Sequence, residues 1–271
     1  MRTTALLYHD IVPQYHYELS GFQGSDADIY KLGTAEFRRH MQVIASHTEL
    51  RPVAVTAAGF VEADRNLLLT FDDGGVSAIE QTASILGEYN WLGHFFVTTS
   101  RIGTPGFLDV IQVRALRDGG HVIGTHSVSH PMRMAACSAK QLDHEWQDSV
   151  RHLEDILGEP VTTGSIPGGY YSHAVASAAA EAGIRVLFTS EPLTRIGRVD
   201  GCQVIGRFSV QQGVSAQWVA AVVADRLLPR ACRFLAWNGK KLLKVAGGSV
   251  YLTMRKAILS RKAKTIKSDS R

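Results

Sequence analysis

Two short clusters of acidic and histidine side chains carry the residue types that bind metals and move protons. Asp72 and Asp73 follow the apolar run Leu67–Phe71, and His126 and His130 follow a second such run. Adjacent residues at a strand end diverge, so one carboxylate can bind a metal while the other serves a water molecule. Two imidazoles four residues apart on one helical turn can reach one ion, and an aspartate from a neighbouring strand completes the ligand set. The pattern predicts a metal site, although Asp-Asp-Gly-Gly also occurs in ordinary turns and such histidine pairs on ordinary surfaces.

The elements that must position these side chains are short apolar runs that alternate with segments of helical spacing. One helical segment begins at Thr34, a second begins at the N-cap residue Ser138, and a third ends at Gly183. The alternation predicts parallel strands joined by right-handed crossovers, and about seven such units favour a (β/α) barrel over an open sheet. The predicted strands are Ala5–Tyr8, Leu67–Phe71, His94–Thr98, His121–Thr125, Thr162–Ile166, Arg185–Thr189 and Gln203–Phe208.

The candidate polar residues lie where these strands end. His9 follows the first predicted strand, Asp72 and Asp73 follow the second, and His126 follows the fourth. Active sites of parallel-stranded barrels are built at this C-terminal edge, from the loops that follow the strands. Because several such residues converge on one edge, the sequence favours a metal site over an ordinary turn at the two aspartates and an ordinary surface pair of histidines.

The sequence around these clusters resembles a known family. Thr70–Gly74 reads Thr-Phe-Asp-Asp-Gly, and Thr125–Pro131 reads Thr-His-Ser-Val-Ser-His-Pro. Both are similar to the first two motifs of the polysaccharide deacetylases, the metal-dependent NodB-homology de-N-acetylases, and their order and spacing fit over roughly residues 1–210. The resemblance implies a distorted barrel of about seven or eight parallel strands. The site residues that it implies are the general base Asp72 and the metal ligands Asp73, His126 and His130.

Later motifs of the family are altered in this chain. The third motif, Arg-x-Pro followed by an aromatic residue, here reads Ser-Ile-Pro-Gly-Gly-Tyr and ends at Tyr170, without the arginine that orients the base. By resemblance, Gly168 would supply an N–H group to the oxyanion, and Tyr170 or Tyr171 would line the sugar groove. We expect Arg207, with Glu191, to stand in for the missing arginine; the alternative is an arginine solvated at the barrel rim.

The general acid has a candidate at the first strand end, because the late histidine of the family's fifth motif is missing. Leu7-Tyr8-His9-Asp10 resembles a branch whose catalytic histidine lies near the N-terminus, as in exopolysaccharide deacetylases of the poly-N-acetylglucosamine type. We expect His9 to protonate the leaving amine, oriented by a carboxylate such as Asp10 or Glu191. The alternative is a hydrogen-bonded core histidine.

The resemblance implies hydrolysis of an N-acyl group, N-acetyl first of all, from an amino sugar of a bacterial-type polysaccharide or lipid-linked glycan. A metal with three protein ligands leaves positions open for water and the amide oxygen, and it lowers the pKa of that water to roughly 7. The metal implied is zinc, although cobalt, nickel, manganese or iron also suit such ligands. Two other functions stay open: a deformylase or amidohydrolase acting on another acyl group, and a glycan-binding pseudoenzyme with weak catalysis.

Composition and charge set the wider limits. Hydrophobic residues make up 45% of the 271 positions and the three cysteines are far apart, which excludes a disordered chain and a disulfide scaffold. Residues 225–271 carry 13 basic and two acidic side chains, a net charge of +11, whereas residues 1–224 have a net charge of −7. This break predicts a barrel domain over residues 1–224 and a basic, amphipathic, partly helical extension over residues 225–271.

The extension is a candidate membrane-binding segment. Tyr251, Met254 and Ile258 recur at helical spacing among lysines and arginines, as in helices on anionic membranes, although a solvated chain end has the same composition. Nucleic acid is not expected as a partner, because the body is acidic and stacking aromatics are few. Without a run of about 18 apolar residues or a secretory leader, we expect a cytoplasmic protein held peripherally at the inner membrane.

Overall fold

The computed structural model describes residues 2–13, 16–47, 49–55 and 64–239. The strands are β1 (Arg2–Tyr8), β2 (Ile11–Val12), β3 (Leu32–Gly33), β4 (Arg65–Phe71), β5 (His94–Val97), β6 (Val122–Thr125), β7 (Thr163–Ser165), β8 (Val186–Phe188), β9 (Gly197–Val199), β10 (Cys202–Ile205) and β11 (Phe208–Ser209). The α-helices are α1 (Ser25–Asp28), α2 (Thr34–His47), α3 (Ser84–Gly87), α4 (Val110–Asp118), α5 (Ala139–Asp143), α6 (Ser149–Leu157), α7 (His173–Glu181) and α8 (Ala216–Val223).

One curled sheet of nine strands organises the described chain. Its order is β11-β1-β4-β5-β6-β7-β8-β10-β9, and every neighbouring pair is parallel except β10 and β9. The sheet is a half-barrel with β11 and β9 at its edges. The predicted class, an α/β fold built on a distorted parallel barrel, is confirmed, and the C-terminal ends of its strands meet at one edge, as a shared active site requires.

The helices that cover the sheet follow the sequence pattern closely. Helix α2 begins at Thr34 and buries Phe37, Met41 and Ile44, the predicted face. Ser138 caps α5 as predicted, its side chain accepting the backbone N–H of Gln141. A π-helical segment, His144–Asp148, then connects α5 to α6 without a break. The period of the apolar residues was therefore sufficient to place these helices against the sheet.

The last predicted strand, Gln203–Phe208, is wrong as a single element. The chain forms β10 and β11 instead, separated by Gly206 and Arg207. A side chain at Gly206 would lie 2.3 Å from the carbonyl oxygen of Glu191, so the close approach of two backbones requires glycine there. The break ends the pairing of β10 with β8 and lets the next residue point into the barrel.

The C-terminal extension is described only at its start. Residues 227–239 are helical, whereas the predicted amphipathic residues Tyr251, Met254 and Ile258 lie outside the described residues. The domain boundary between residues 224 and 225 stays a prediction. Among the helices that the structure describes, none is both long and apolar enough to cross a bilayer.

Buried His94 gives the fold a testable dependence on pH. Its Nδ1–H donates to the carbonyl of Leu69 (3.1 Å) and its Nε2 accepts the N–H of Val55 (2.9 Å), so the ring is neutral. Burial lowers the pKa of His94 to about 4, against an ordinary value of about 6.5. Between these two values only the unfolded chain takes up the proton, so stability falls as the pH falls from 6.5 towards 4.

At pH 5 this one group is expected to cost about 2 kcal/mol of unfolding free energy. Denaturant titrations at pH 7.5 and pH 5 measure the loss, and His94→Gln, which cannot titrate, should lose less between the two values than the wild type. Equal losses in both proteins would contradict the assignment.

Candidate active site

Asp72 is held at the end of β4 by two buried side chains. Arg207 donates from Nη1 to its Oδ1 (2.7 Å) and from Nη2 to its Oδ2 (2.8 Å), a bidentate pair. The hydroxyl of Ser165, at the end of β7, accepts from Arg207 Nη2 (2.7 Å) and donates to Asp72 Oδ2 (3.0 Å). Both carboxylate oxygens are thus fixed in a planar arrangement that leaves the carboxylate little freedom.

Arg207 is itself locked in place. Its side chain is fully buried, and its guanidinium lies 5.8 Å from the ring centroids of both Phe96 and Phe188. Its Nε donates to the carbonyl of Thr189 (3.0 Å). The alternative prediction, an arginine solvated at the rim, is wrong because the break between β10 and β11 turns this side chain into the barrel.

Asp73, His126 and His130 form a compact cluster beside Asp72. Asp73 Oδ1 lies 3.5 Å from the Nε2 atoms of both histidines, and one potential ligand atom from each residue lies within 4.8 Å of the others. Asp73 Oδ1 is buried and has no hydrogen-bond partner in the described chain. The Nδ1–H of His126 donates to the carbonyl of Ser165 (2.9 Å), which leaves Nε2 free to bind an ion. This donor set fits a divalent metal of the zinc type.

The sequence predicted that the two histidines share one helical turn, and this prediction is wrong. Residues 126–130 form a loop in which Ser127 (φ 66°) and His130 (φ 58°) adopt left-handed backbone. The carboxylate of Glu145 fixes this loop, since it accepts the N–H groups of Val128 and Ser129 at 2.9 Å each. Asp73 also has a positive φ of 80°. Two members of the cluster, Asp73 and His130, and the residue after His126 therefore all have strained left-handed backbone.

Charges in the cluster suit a metal. Burial alone would raise the pKa of Asp72, but the Arg207 guanidinium and His126 hold it below its usual range. The pKa of Asp73 is likewise lowered, against burial, by the histidines around it. Burial lowers the pKa of His130 to about 4, whereas His126, which burial would make less basic, has a raised pKa because of the two aspartates. Both carboxylates are therefore anionic at neutral pH.

His9 lies at the same edge, but the predicted carboxylates do not orient it. It lines a small cavity together with Asp72, and its ring lies 4.7 Å from that of Tyr30. Its Nδ1 is buried without a hydrogen-bond partner among the described residues, so the predicted orientation by Asp10 or Glu191 is wrong for this atom. The alternative, a hydrogen-bonded core histidine, finds no support at this nitrogen either.

Asp10 instead holds three loops together. It accepts hydrogen bonds from Ser20 Oγ (2.5 Å) and Ser77 Oγ (2.9 Å), and Ser20 Oγ in turn accepts the N–H of Ser77. A side chain at Gly75 would lie 1.9 Å from Asp10 Oδ1, so the chain just after the two aspartates must be glycine at this point. Asp10 therefore fixes the loop after β4, and this loop begins with Asp72 and Asp73.

The remaining predicted residues lie around this centre. Gly168 follows β7 with a φ of 64°, and a side chain there would lie 2.8 Å from the carbonyl oxygen of Met132. Tyr170, two residues on, is half-buried. Glu191 meets Arg207 through its backbone, whose carbonyl accepts the N–H of Arg207 (2.8 Å). Burial and the Glu191 carboxylate together raise the pKa of Tyr171, which places this carboxylate near that phenol.

Sequence reasoning missed Ser165 and Glu145 as residues of the candidate site. Ser165 contacts Asp72 through its hydroxyl and His126 through its carbonyl, and Glu145 fixes the histidine loop. The signal for Ser165 was its place in the altered third motif. Glu145 carried a weaker signal, an acidic residue on the buried side of a helix.

Solved structures with the same fold support this architecture. The Streptococcus pyogenes deacetylase PplD, in complex with acetate, matches with a TM-score of 0.66 at 18% identity, covering 80% of this chain and 96% of that one. IcaB from Ammonifex degensii matches with a TM-score of 0.66 at 18% identity, covering 82% and 97%. The fold is therefore that of the NodB-like deacetylases.

Sequence comparison supports the same family. The family model described as polysaccharide deacetylase matches residues 61–187, which include Asp72, Asp73 and both histidines of the cluster. YxkH of Bacillus subtilis (strain 168), whose name places it among the polysaccharide deacetylases, is 22% identical over 80% of this chain and 75% of its own length. A peptidoglycan-N-acetylglucosamine deacetylase of Bacillus cereus is 27% identical over 52% of this chain and 64% of its own length. The family model, these relatives and the solved structures all support a member of the polysaccharide deacetylase family, which consists of hydrolases that act on amide bonds.

Proposed function

We propose that this chain is a metal-dependent deacetylase that removes N-acetyl groups from amino-sugar residues of a bacterial-type polysaccharide or lipid-linked glycan. The observation that carries the proposal is the cluster of Asp73, His126 and His130 with the restrained carboxylate of Asp72 beside it. A relative named for N-acetylglucosamine in peptidoglycan supports an N-acetylated amino sugar as substrate. Zinc is the proposed ion, and cobalt, nickel, manganese or iron would suit the same ligands.

The proposed mechanism assigns one task to each group. Asp73, His126 and His130 would hold the metal, which when bound supplies a Lewis acid that activates water and polarises the amide carbonyl. Asp72 accepts a proton from the water as its oxygen bonds to the carbonyl carbon, and Arg207 keeps the Asp72 carboxylate in position. The backbone N–H of Gly168 donates to the oxyanion.

The attack of water on the carbonyl carbon forms a tetrahedral adduct, and collapse of this adduct breaks the carbon–nitrogen bond. His9, in the cavity that Asp72 also lines, donates a proton to the departing nitrogen, so that the products are acetate and a free amine. Tyr170 is the proposed contact for a sugar ring beside the site. No role beyond its backbone contact with Arg207 is needed for Glu191.

Metal removal tests the proposal directly. The purified protein is expected to contain about one divalent ion per chain and to release acetate from N-acetylglucosamine hexamer. Chelation should abolish release, and added zinc should restore it. His126→Ala should lose both metal and activity, whereas His152→Ala, an exposed histidine on α6, should keep both.

Each result has a distinct meaning. A chain that binds metal through His126 but releases no acetate from any N-acetylated sugar would contradict the proposed substrate and favour another acyl group, which formylated substrates would then reveal. A chain without bound metal would overturn the proposed mechanism.

We further propose that the C-terminal extension binds an anionic membrane at the inner leaflet, as expected of a cytoplasmic protein with this charge. In the helix of residues 227–239, Leu227, Leu228 and Leu235 are 82%, 76% and 68% exposed. Arg233 anchors the same helix to the barrel through the carbonyl of Ser209 (2.5 Å). Basic side chains follow this helix directly in the sequence. Exposed leucines and positive charge both favour binding to the surface of an anionic membrane.

A vesicle sedimentation assay tests membrane binding. The full chain is expected to sediment with phosphatidylglycerol vesicles and much less with phosphatidylcholine vesicles, because each basic residue near an anionic surface contributes about 1 kcal/mol. Deleting residues 240–271, which keeps the described helix, should release most of the protein. Unchanged sedimentation of this variant would contradict the proposal.

A further inference from the structure

Two exposed arginines next to the proposed active site lie on aromatic rings. The guanidinium carbon of Arg101 is 5.2 Å from the ring centroid of Phe22 and 5.9 Å from that of Phe107. The guanidinium carbon of Arg133 is 5.6 Å from the ring centroid of Tyr170. Both arginines are exposed, and both come from loops that follow strands of the catalytic edge, β5 and β6.

The aromatic partners connect these arginines to the metal-ligand cluster. The ring of Phe22 lies 4.8 Å from the imidazole of His130 and 5.1 Å from the ring of Phe107. Arg101 is therefore separated from a proposed metal ligand by a single aromatic ring. Arg133 is three residues from His130, and its partner Tyr170 is two residues from Gly168, the proposed oxyanion donor.

Neither guanidinium is neutralised by an acidic side chain within the part of the chain that the structure describes. In the described ranges, Arg101 and Arg133 form no ion pair and no side-chain hydrogen bond, in contrast to Arg207. Stacking on a ring holds a guanidinium in one plane while its N–H groups stay available at the edge. Such a fork matches carboxylate and phosphoryl oxygens.

We propose that the substrate of this site is an anionic glycan, in which Arg101 and Arg133 bind carboxylate or phosphoryl groups on units adjoining the N-acylated sugar. The rings of Phe22, Phe107 and Tyr170 hold these two guanidinium groups in place beside the site. The inference rests on the proposed function and names its substrate class. It predicts binding that weakens as salt is added, because the interaction is between charges near the surface.

Binding without turnover tests the inference. Fluorescence polarisation at low temperature would compare labelled heparosan hexasaccharide, which carries carboxylates, with labelled N-acetylglucosamine hexamer, which is neutral. Uridine diphosphate N-acetylglucosamine, added as a competitor, reports the phosphoryl alternative. We expect the zinc-loaded protein to bind one of the anionic ligands at least about tenfold more tightly than the neutral hexamer.

Substitutions test whether the two arginines cause the preference for anionic ligands. Arg101→Gln and Arg133→Gln should each weaken anionic binding about fivefold and weaken binding of the neutral hexamer much less. Arg198→Gln, an exposed arginine on the edge strand β9, is the matched control and should change neither. Arg101→Lys should recover only part of the affinity, because lysine lacks the planar fork.

Equal binding of neutral and anionic ligands, or equal weakening of both by the glutamine variants, would overturn the inference. It would also fail if those variants lost only binding to phosphatidylglycerol vesicles, since the arginines would then belong to a membrane surface. The proposed function fails separately, by absence of acetate release or of metal, and neither of those readouts enters the binding comparison.

Discussion

Asp72→Asn is expected to lower kcat for acetate release by about 10²- to 10⁴-fold while leaving the bound metal in place. The amide keeps the shape of the carboxylate but cannot accept the proton of the attacking water. Asp73, His126 and His130 do not depend on that proton, so metal content should stay near one ion per chain. Acetate release and metal analysis on the same preparation measure both effects.

The pairing of the two readouts makes this variant informative. Asp155→Asn, an exposed aspartate on α6, is the matched control and should change neither quantity. If Asp72→Asn kept more than about a tenth of the activity, the proton acceptor would have to be another group. If it lost the metal as well, Asp72 would be a ligand rather than the base.

Arg207→Gln is expected to lower the unfolding free energy by about 3–5 kcal/mol and to reduce kcat strongly. The substitution leaves the buried carboxylate of Asp72 without its counter-charge, although Ser165 still donates to it. Asp72→Asn leaves the buried guanidinium unpaired and should cost a similar amount. Denaturant titration of each single variant gives these values.

The double variant Asp72→Asn/Arg207→Gln separates a specific pair from two unrelated losses. Because neither buried charge then remains, its loss of stability is expected to be well below the sum of the single losses. Arg207→Lys is the conservative variant: it keeps the charge but not the bidentate contact, so it should restore stability more than activity. Additive losses in the double variant would contradict the pairing.

The local sequence was sufficient for many of the elements and for the residues of the proposed metal cluster. Apolar periodicity placed α2 and the helix that begins at Ser138, and runs of β-prone residues placed β1, β4 and β6 within a few residues. Asp72 and His126 could be found because each follows an apolar run directly, and Asp73 and His130 lie one and four residues further along the chain. Strand ends of a parallel sheet share one edge, so their meeting follows from the class of fold.

The surroundings of these residues required the tertiary structure. Asp10 was predicted to orient its neighbour His9, yet its carboxylate contacts Ser20 and Ser77, which are distant in sequence. Likewise, the spacing of His126 and His130 resembles a helical turn, but Glu145 holds the segment as a loop. Such hydrogen bonds join groups that the fold brings close together in space. The spacing of residues within a short segment of sequence does not predict them.

The sequence by itself determined the residue types that are proposed to do the chemistry, their order along the chain and the parallel sheet that brings them together. The sheet follows from local propensity and hydrophobic period. Only the tertiary structure decided that Arg207, 135 residues after Asp72, reaches both oxygens of that carboxylate. That contact depends on the break between β10 and β11, on the close backbone approach at Gly206 and on the two aromatic rings that enclose the guanidinium. All three are long-range packing effects, and burial makes the resulting ion pair specific.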